Sequence, residues 1–279
     1  MKRIAGLREI ADQFDLFLVD QYGVLHDGVA AYPGAIEALA ELASRGRKVV
    51  VVTNSGKGAA ANTARLDALG FAGSRLDAVV SSGDVALNRV KSGALGATFA
   101  AGAAACVIGR AGDSYTFLPD DFKLVTRPQD AAFLVFAGSD APRISLEAYR
   151  RDLTSAANAR VPAICVNPDI AMIRDGELMP APGAIARIYE DLGGAVEYVG
   201  KPYPSIFTHA IATVALNPGA RAVMIGDSPE HDVAGAKAMG LSTLLVRTGI
   251  HSHLAEQELL RFCEKCGGVP DFLAPSFEW

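Results

Sequence analysis

Long apolar runs are missing from these 279 residues. No stretch approaches the roughly 20 apolar residues that a membrane-spanning helix needs. The residues after Met1 open on Lys2-Arg3 and carry no apolar signal core, so a cytoplasmic protein is expected. Positive charge is not in excess either: 26 Lys and Arg stand against 31 Asp and Glu, a net charge of −5. Without a basic field, neither nucleic acid nor an anionic membrane is an expected partner. Cysteine is scarce. The four (Cys106, Cys165, Cys263 and Cys266) are too few and too scattered for a disulfide framework. Repeats and low-complexity linkers are also lacking.

Half of the residues are apolar, enough for one large domain or two modest ones. The most informative stretch is Phe17-Leu18-Val19-Asp20-Gln21-Tyr22-Gly23-Val24-Leu25-His26-Asp27-Gly28. A short apolar run ends on an acid, and turn residues follow. This reads as a buried parallel strand that delivers Asp20 to its carboxyl end, where ligands bind in open α/β sheets. The rhythm continues. Lys48 to Val52 is β-branched and stops at Thr53-Asn54-Ser55, and Ala78-Val79-Val80 stops at Ser81-Ser82-Gly83. Helical spacing fills the gaps at Ala35 to Ser44 and Ala59 to Leu69. A second group of strands is expected at Cys106–Gly109, Phe133–Gly138 and Ala163–Val166, with a helix over Ser145 to Ala157. The first rhythm resumes with helices over Gly183–Asp191, Ser205–Ala215 and Val233–Met239, and strands at Ala222–Ile225 and Thr243–Val246. The expected fold is α/β: a doubly wound, Rossmann-like parallel sheet split by an inserted α/β unit. Its segments are residues 1–84, 85–182 and 183–279.

The strand ends of the outer domain collect a carboxylate, Asp20; donors, Thr53-Asn54-Ser55; a cation, Lys201; and two acids in Gly226-Asp227-Ser228-Pro229-Glu230-His231-Asp232. Attack on a phosphate monoester needs that set. A carboxylate can accept the phosphoryl group, and its equatorial oxygens need donors, a Lys and Mg²⁺.

In that order, Asp20 with Gly23, Thr53-Asn54, Lys201 and Gly226-Asp227-x4-Asp232 resemble the four motifs of the haloacid dehalogenase superfamily. Asn167-Pro168-Asp169, Pro182-Gly183-Ala184 and Gly200-Lys201-Pro202 further resemble its class IIA branch, which includes nitrophenyl phosphate, nucleotide, sugar phosphate and pyridoxal phosphate phosphatases. The resemblance covers about Asp15 to Thr248. It implies a phosphatase of small phosphorylated metabolites that works through an aspartyl-phosphate on Asp20. It implies Mg²⁺ held by Asp20, the Tyr22 carbonyl and Asp227. Thr53 would bind the phosphoryl group, with Asn54, Ser55 and Asn167 as further substrate contacts. Lys201 would orient Asp20 and neutralise charge, and Asp232 would hold Lys201 or a metal-bound water. The inserted unit corresponds to a cap that closes over the crevice, and the resemblance allows a homodimer.

One position departs from the pattern. Phosphatases of the superfamily usually carry a second Asp two residues after the nucleophile, as acid and then base; here Tyr22 stands there. Alkoxide leaving groups should then depart about 10²–10⁴-fold more slowly, and aryl phosphates should do best. His26 or Asp27 is a candidate replacement acid by proximity in sequence. Tyr22 also keeps open a dehalogenase-type attack on carbon, and a binding protein without turnover is a third reading. Elsewhere, Asp140 and Arg143 read as surface charges. Cys263 and Cys266 with His251 and His253 have the ingredients of a zinc site but read as free thiols. Phe272, Phe277 and Trp279 read as packing on the core.

Overall fold

The computed structural model describes residues 1–100, 102–113, 115, 122–174 and 177–279. The chain forms two compact units. One comprises Met1–Thr53, Ala60–Val80 and Lys201–Trp279; the other comprises Asn54–Ala59 and Ser81–Gly200.

The first unit carries a seven-stranded sheet. Its order is Lys2–Arg3, Phe272–Ala274, Ser242–Val246, Ala222–Gly226, Leu16–Val19, Lys48–Thr53 and Ala78–Ser81. Leu16–Val19 is wholly buried and pairs in parallel with Ala222–Gly226 on one side and Lys48–Thr53 on the other. Burial on both faces explains why it reads as a continuous apolar run rather than an alternating one. The strand order runs outward in both directions from the pair Leu16–Val19 and Ala222–Gly226. Their carboxyl ends therefore flank the switch point, where open sheets bind ligands. The helix Ala35–Ser44 buries Ala35, Ala38, Leu39 and Leu42 against Phe17, Val19, Val49 and Val51.

The second unit holds a five-stranded parallel sheet ordered Val196–Tyr198, Ala163–Cys165, Phe133–Phe136, Ala104–Ile108 and Lys123–Leu124. An antiparallel pair, Ala171–Arg174 with Glu177–Pro180, accompanies it. The helix Leu146–Asn158 starts where Ser145 Oγ accepts the Ala148 N–H at 3.2 Å. The inserted segment was expected to end at 182. The helix Pro182–Asp191 instead belongs to this unit, because Ile185 and Tyr189 are buried with Phe136 and Leu153.

Several local expectations need correction. Two 3-10 turns, Leu7–Glu9 and Ala11–Gln13, precede the Leu16–Val19 strand. The helix expected at Val233 begins with a wide turn, Pro229–Val233, because Ser228 Oγ takes the His231 N–H; regular helix covers only Ala234–Ala238. Val196–Tyr198 is a short strand that was not anticipated. The helix Glu256–Cys266 and the strand Phe272–Ala274 were not anticipated at all. Cys263 is buried with Val233, Leu245, Leu259 and Leu273. Phe277 is fully buried, and Trp279 lies under the guanidiniums of Arg8 and Arg45, 5.8 and 4.7 Å from its ring centre. Asp140 is not a surface charge. It is buried, and its carboxylate accepts the Ala111 N–H at 3.2 Å.

Candidate active site

The backbone first brings two acids to the switch point. Val19 pairs with Ile225, and the Asp20 N–H donates to the Ile225 carbonyl at 2.9 Å. Asp20 therefore lies level with Gly226, and Asp227 follows one residue on. Asp20 is pinned by the Gln21 N–H, which donates to its Oδ1 at 2.7 Å.

Lys201 is the hub. Its Nζ lies 2.6 Å from Asp20 Oδ1 and 2.7 Å from Asp232 Oδ1, and its side chain is 3% exposed. Asp232 is also held by the Ser228 N–H on Oδ2 at 3.1 Å. Asp227 accepts the Ile250 N–H on Oδ2 at 2.9 Å. Gly23 and Gly249 confine it, with φ of +85° and +72°. A Cβ on either glycine would meet the Asp227 carboxylate, so both the backbone twist and the close approach require glycine.

Oxygens of Asp20, Asp227 and Asp232 lie within 4.8 Å of one another. Two buried carboxylates and the partly buried Asp20 thus face one ammonium, and the site is short of positive charge. Burial raises Asp20 to about 7 against the pull of Lys201, with Asp232 adding to the rise. Burial, with the charges of Asp20 and Asp232, also holds Asp227 well above the usual carboxylate range. Burial draws Lys201 down, but its two carboxylate partners keep it above the ordinary lysine value. A hard divalent cation is the natural complement to an all-oxygen donor set of this kind. Among the described residues this is the sole gathering of three or more His, Cys, Asp or Glu ligand atoms. Cys263, Cys266, His251 and His253 form no such group.

The other expected residues fall as follows. Thr53 ends the strand beside Asp20 and is buried. Asn54 and Ser55 belong to the second unit. Asn54 Nδ2 donates to Asp169 Oδ1 at 2.8 Å, and Ser55 Oγ accepts the Lys57 N–H at 3.2 Å. Asn167 Oδ1 accepts the Asp169 N–H at 3.1 Å, the turn that Asn-Pro favours. The Tyr22 ring packs edge-on against His26, centroids 5.8 Å apart.

His26 does not fit a proton donor. It is 1% exposed, and burial lowers it to about 4. The Gly28 N–H donates to its Nδ1 at 2.9 Å, and its Nε2 lies 3.2 Å from the Gln21 carboxamide nitrogen, so both ring nitrogens are engaged within the loop. Asp27 holds the loop instead, its Oδ1 accepting from Val29 and Ala30 N–H, both at 2.8 Å.

Sequence reasoning missed the segment Thr248-Gly249-Ile250, whose backbone grips Asp227 and whose Thr248 hydroxyl donates to the Gly23 carbonyl. A Gly placed just past the Ser242–Val246 strand was its only signal.

Residues 17–116 match the family model of haloacid dehalogenase-like hydrolases, and residues 198–277 match a related hydrolase-like model. Human chronophin is 30% identical, over 98% of this chain and 94% of its own. Among solved structures, a haloacid dehalogenase-like hydrolase from Brucella suis superposes with a TM-score of 0.82 at 28% identity, covering 98% of this chain and 99% of that one. A Mycobacterium tuberculosis glycerol phosphate phosphatase, solved with magnesium, shares the fold. Its TM-score is 0.70 at 24% identity, covering 96% of this chain and 77% of that one.

Proposed function

The chain belongs to the haloacid dehalogenase-like hydrolases, in their nitrophenyl phosphatase-like branch, and from that premise we propose that it is a Mg²⁺-dependent phosphatase of small phosphomonoesters. The observation that carries the reading is Lys201 bridging Asp20 and Asp232 while Asp227 shares their cluster.

An Asp20 oxygen attacks phosphorus, and the bond to the leaving oxygen breaks with its electron pair going to that oxygen. Water then attacks the aspartyl-phosphate, which restores the Asp20 carboxylate and releases inorganic phosphate. Lys201 fixes the direction of Asp20 and balances part of the phosphate charge. Asp232 holds Lys201 from the other side. Thr53, at the end of the neighbouring strand, donates to a phosphoryl oxygen. Asn167 is left out of this set, because its side chain serves the Asn-Pro-Asp turn.

The cation would be held by Asp20, Asp227 and the Tyr22 carbonyl, and it would lower the repulsion between a carboxylate and a phosphate dianion. The buried carboxylate excess supports this metal-dependent reading over attack on carbon. The inserted unit is proposed as the cap that selects the substrate.

A phosphate-release screen over a metabolite panel, with Mg²⁺ or with EDTA, tests the proposal. Release that needs both Mg²⁺ and Asp20 is expected. Release that survives EDTA or Asp20→Asn would remove it.

A further inference from the structure

We propose that this enzyme expels its leaving group without a general acid, and that its substrates are therefore phosphates of stabilised oxyanions, such as aryl and acyl phosphates, rather than of simple alcohols. The inference rests on the phosphatase reading above.

In the loop that follows Asp20, the side chains of Gln21, His26 and Asp27 are engaged within the loop itself. Position 22 carries a phenol ring folded back along the loop. The ring meets His26 edge-on, and a Cβ built on Gly28 would lie 2.9 Å from Tyr22 Cε2. The Gly28 carbonyl is in turn held by Arg65 Nη2 at 3.2 Å. Gln21 and His26 face each other in the interior, and Gly28 N–H closes the second imidazole nitrogen. Asp27 caps two backbone N–H groups. Lys201 carries protons at the site, but they lie between two carboxylates at 2.6 and 2.7 Å. No carboxylic acid of this loop is therefore aimed past Asp20, where the leaving oxygen would stand.

The chemistry follows from that. When the phosphorus–oxygen bond breaks, its electron pair stays on the leaving oxygen, which exits as an anion and takes a proton from solvent afterwards. Only an oxyanion stabilised by an aromatic ring or a carbonyl departs readily on those terms. The second half-reaction is affected too. Water must attack the aspartyl-phosphate without a base at position 22, and its protons leave with phosphate and solvent. Hydrolysis of the intermediate then becomes the slow step, and aspartyl-phosphate accumulates.

Full-length enzyme in Mg²⁺ is assayed on nitrophenyl, chlorophenyl, phenyl and alkyl phosphates. A fall in kcat/KM of about 10²–10⁴-fold along that series is expected, together with a nitrophenolate burst equal to the enzyme concentration. Tyr22→Asp should raise the alkyl rate towards the aryl rate, while Tyr22→Phe should leave the slope unchanged. A flat series in the unaltered enzyme would overturn the inference, as would a slope that steepens in Tyr22→Phe, since that phenol would then be the acid. The unaltered enzyme decides the matter even if Tyr22→Asp does not fold. Activity on no ester at all would instead remove the phosphatase reading, and this inference with it.

Discussion

In the first unit, Leu16–Val19 and Ala222–Gly226 deliver Asp20 and Asp227 to their carboxyl ends, and Lys201 and Asp232 join them. In the second unit, Ala104–Ile108, Phe133–Phe136 and Ala163–Cys165 end in Gly109-Arg110, Gly138-Ser139-Asp140 and Asn167-Pro168-Asp169. Both sheets are parallel, and both end in small and polar residues. Their chemistry differs because of where the polar groups bond. In the second unit Asn167, Ser139 and Asp140 bond the backbone, and Asp169 accepts from the Asn54 side chain. Asp140 accepts from Ala111 N–H, and Arg174 donates to the carbonyls of Ala141 and Ser139 at 2.8 and 3.0 Å. In the first unit the carboxylates face one another, and one ammonium cannot neutralise three. A parallel sheet prepares a crevice at its carboxyl end, but an uncompensated charge is what makes the crevice reactive.

The largest break in this comparison should come from removing the nucleophile. Asp20→Asn is expected to lower turnover by at least about 10³-fold, whereas Asp140→Asn should keep turnover within a few-fold; steady-state phosphate release measures both. Next is the cation at the hub. Lys201→Met leaves the buried Asp232 and the partly buried Asp20 without their partner and should cost about 3–5 kcal/mol in urea denaturation. Arg174→Met, which frees only backbone carbonyls, should cost about 1–3 kcal/mol. A third experiment adds the metal itself. Mg²⁺ at about 100 times its dissociation constant should stabilise the protein by about 2.7 kcal/mol, read as a rise in Tm. Asp227→Asn should abolish that rise, and Asp140→Asn should retain it.

The smallest effect concerns a pair at the rim of the first unit. Burial works to raise Glu230, but bonding to His251 at 3.3 Å and the charge of His231 bring it down from 4.5 to about 2. A carboxyl depressed on folding stabilises the protein at pH values above its ordinary range. That contribution is lost as pH falls from about 4.5 towards about 2. Glu230→Gln should therefore flatten the acid limb of a Tm–pH curve while changing little near neutrality.

Much of the site was legible because strand ends leave a signature. Asp20, Thr53, Lys201, Asp227 and Asp232 stand out as polar residues at the stops of apolar runs or at the openings of helices. The grip on Asp227 was not legible, because Ile250 acts through its backbone N–H, and any residue type carries one. His26 looked like a proton donor from its position alone. The Gly28 N–H and Gln21, brought round by the loop, gave it a structural role. Asp140 looked like a surface charge because burial is not written in a single residue. The strand Val196–Tyr198 is three residues long with a charged centre, too short for any periodicity to register.

The amino-acid order alone determined the parallel architecture and the residue types at its strand ends, since buried strands must be apolar and their connections must turn. Only the tertiary structure decided that Lys201 would sit between Asp20 and Asp232, that Gly23 and Gly249 would close on Asp227, and that the loop after Asp20 would turn its own side chains inward. Those outcomes depend on distances of a few ångströms between segments as far apart along the chain as Asp20 and Lys201, or Gly23 and Thr248. Coulombic and hydrogen-bond energies depend on such separations in space, not on separation along the chain.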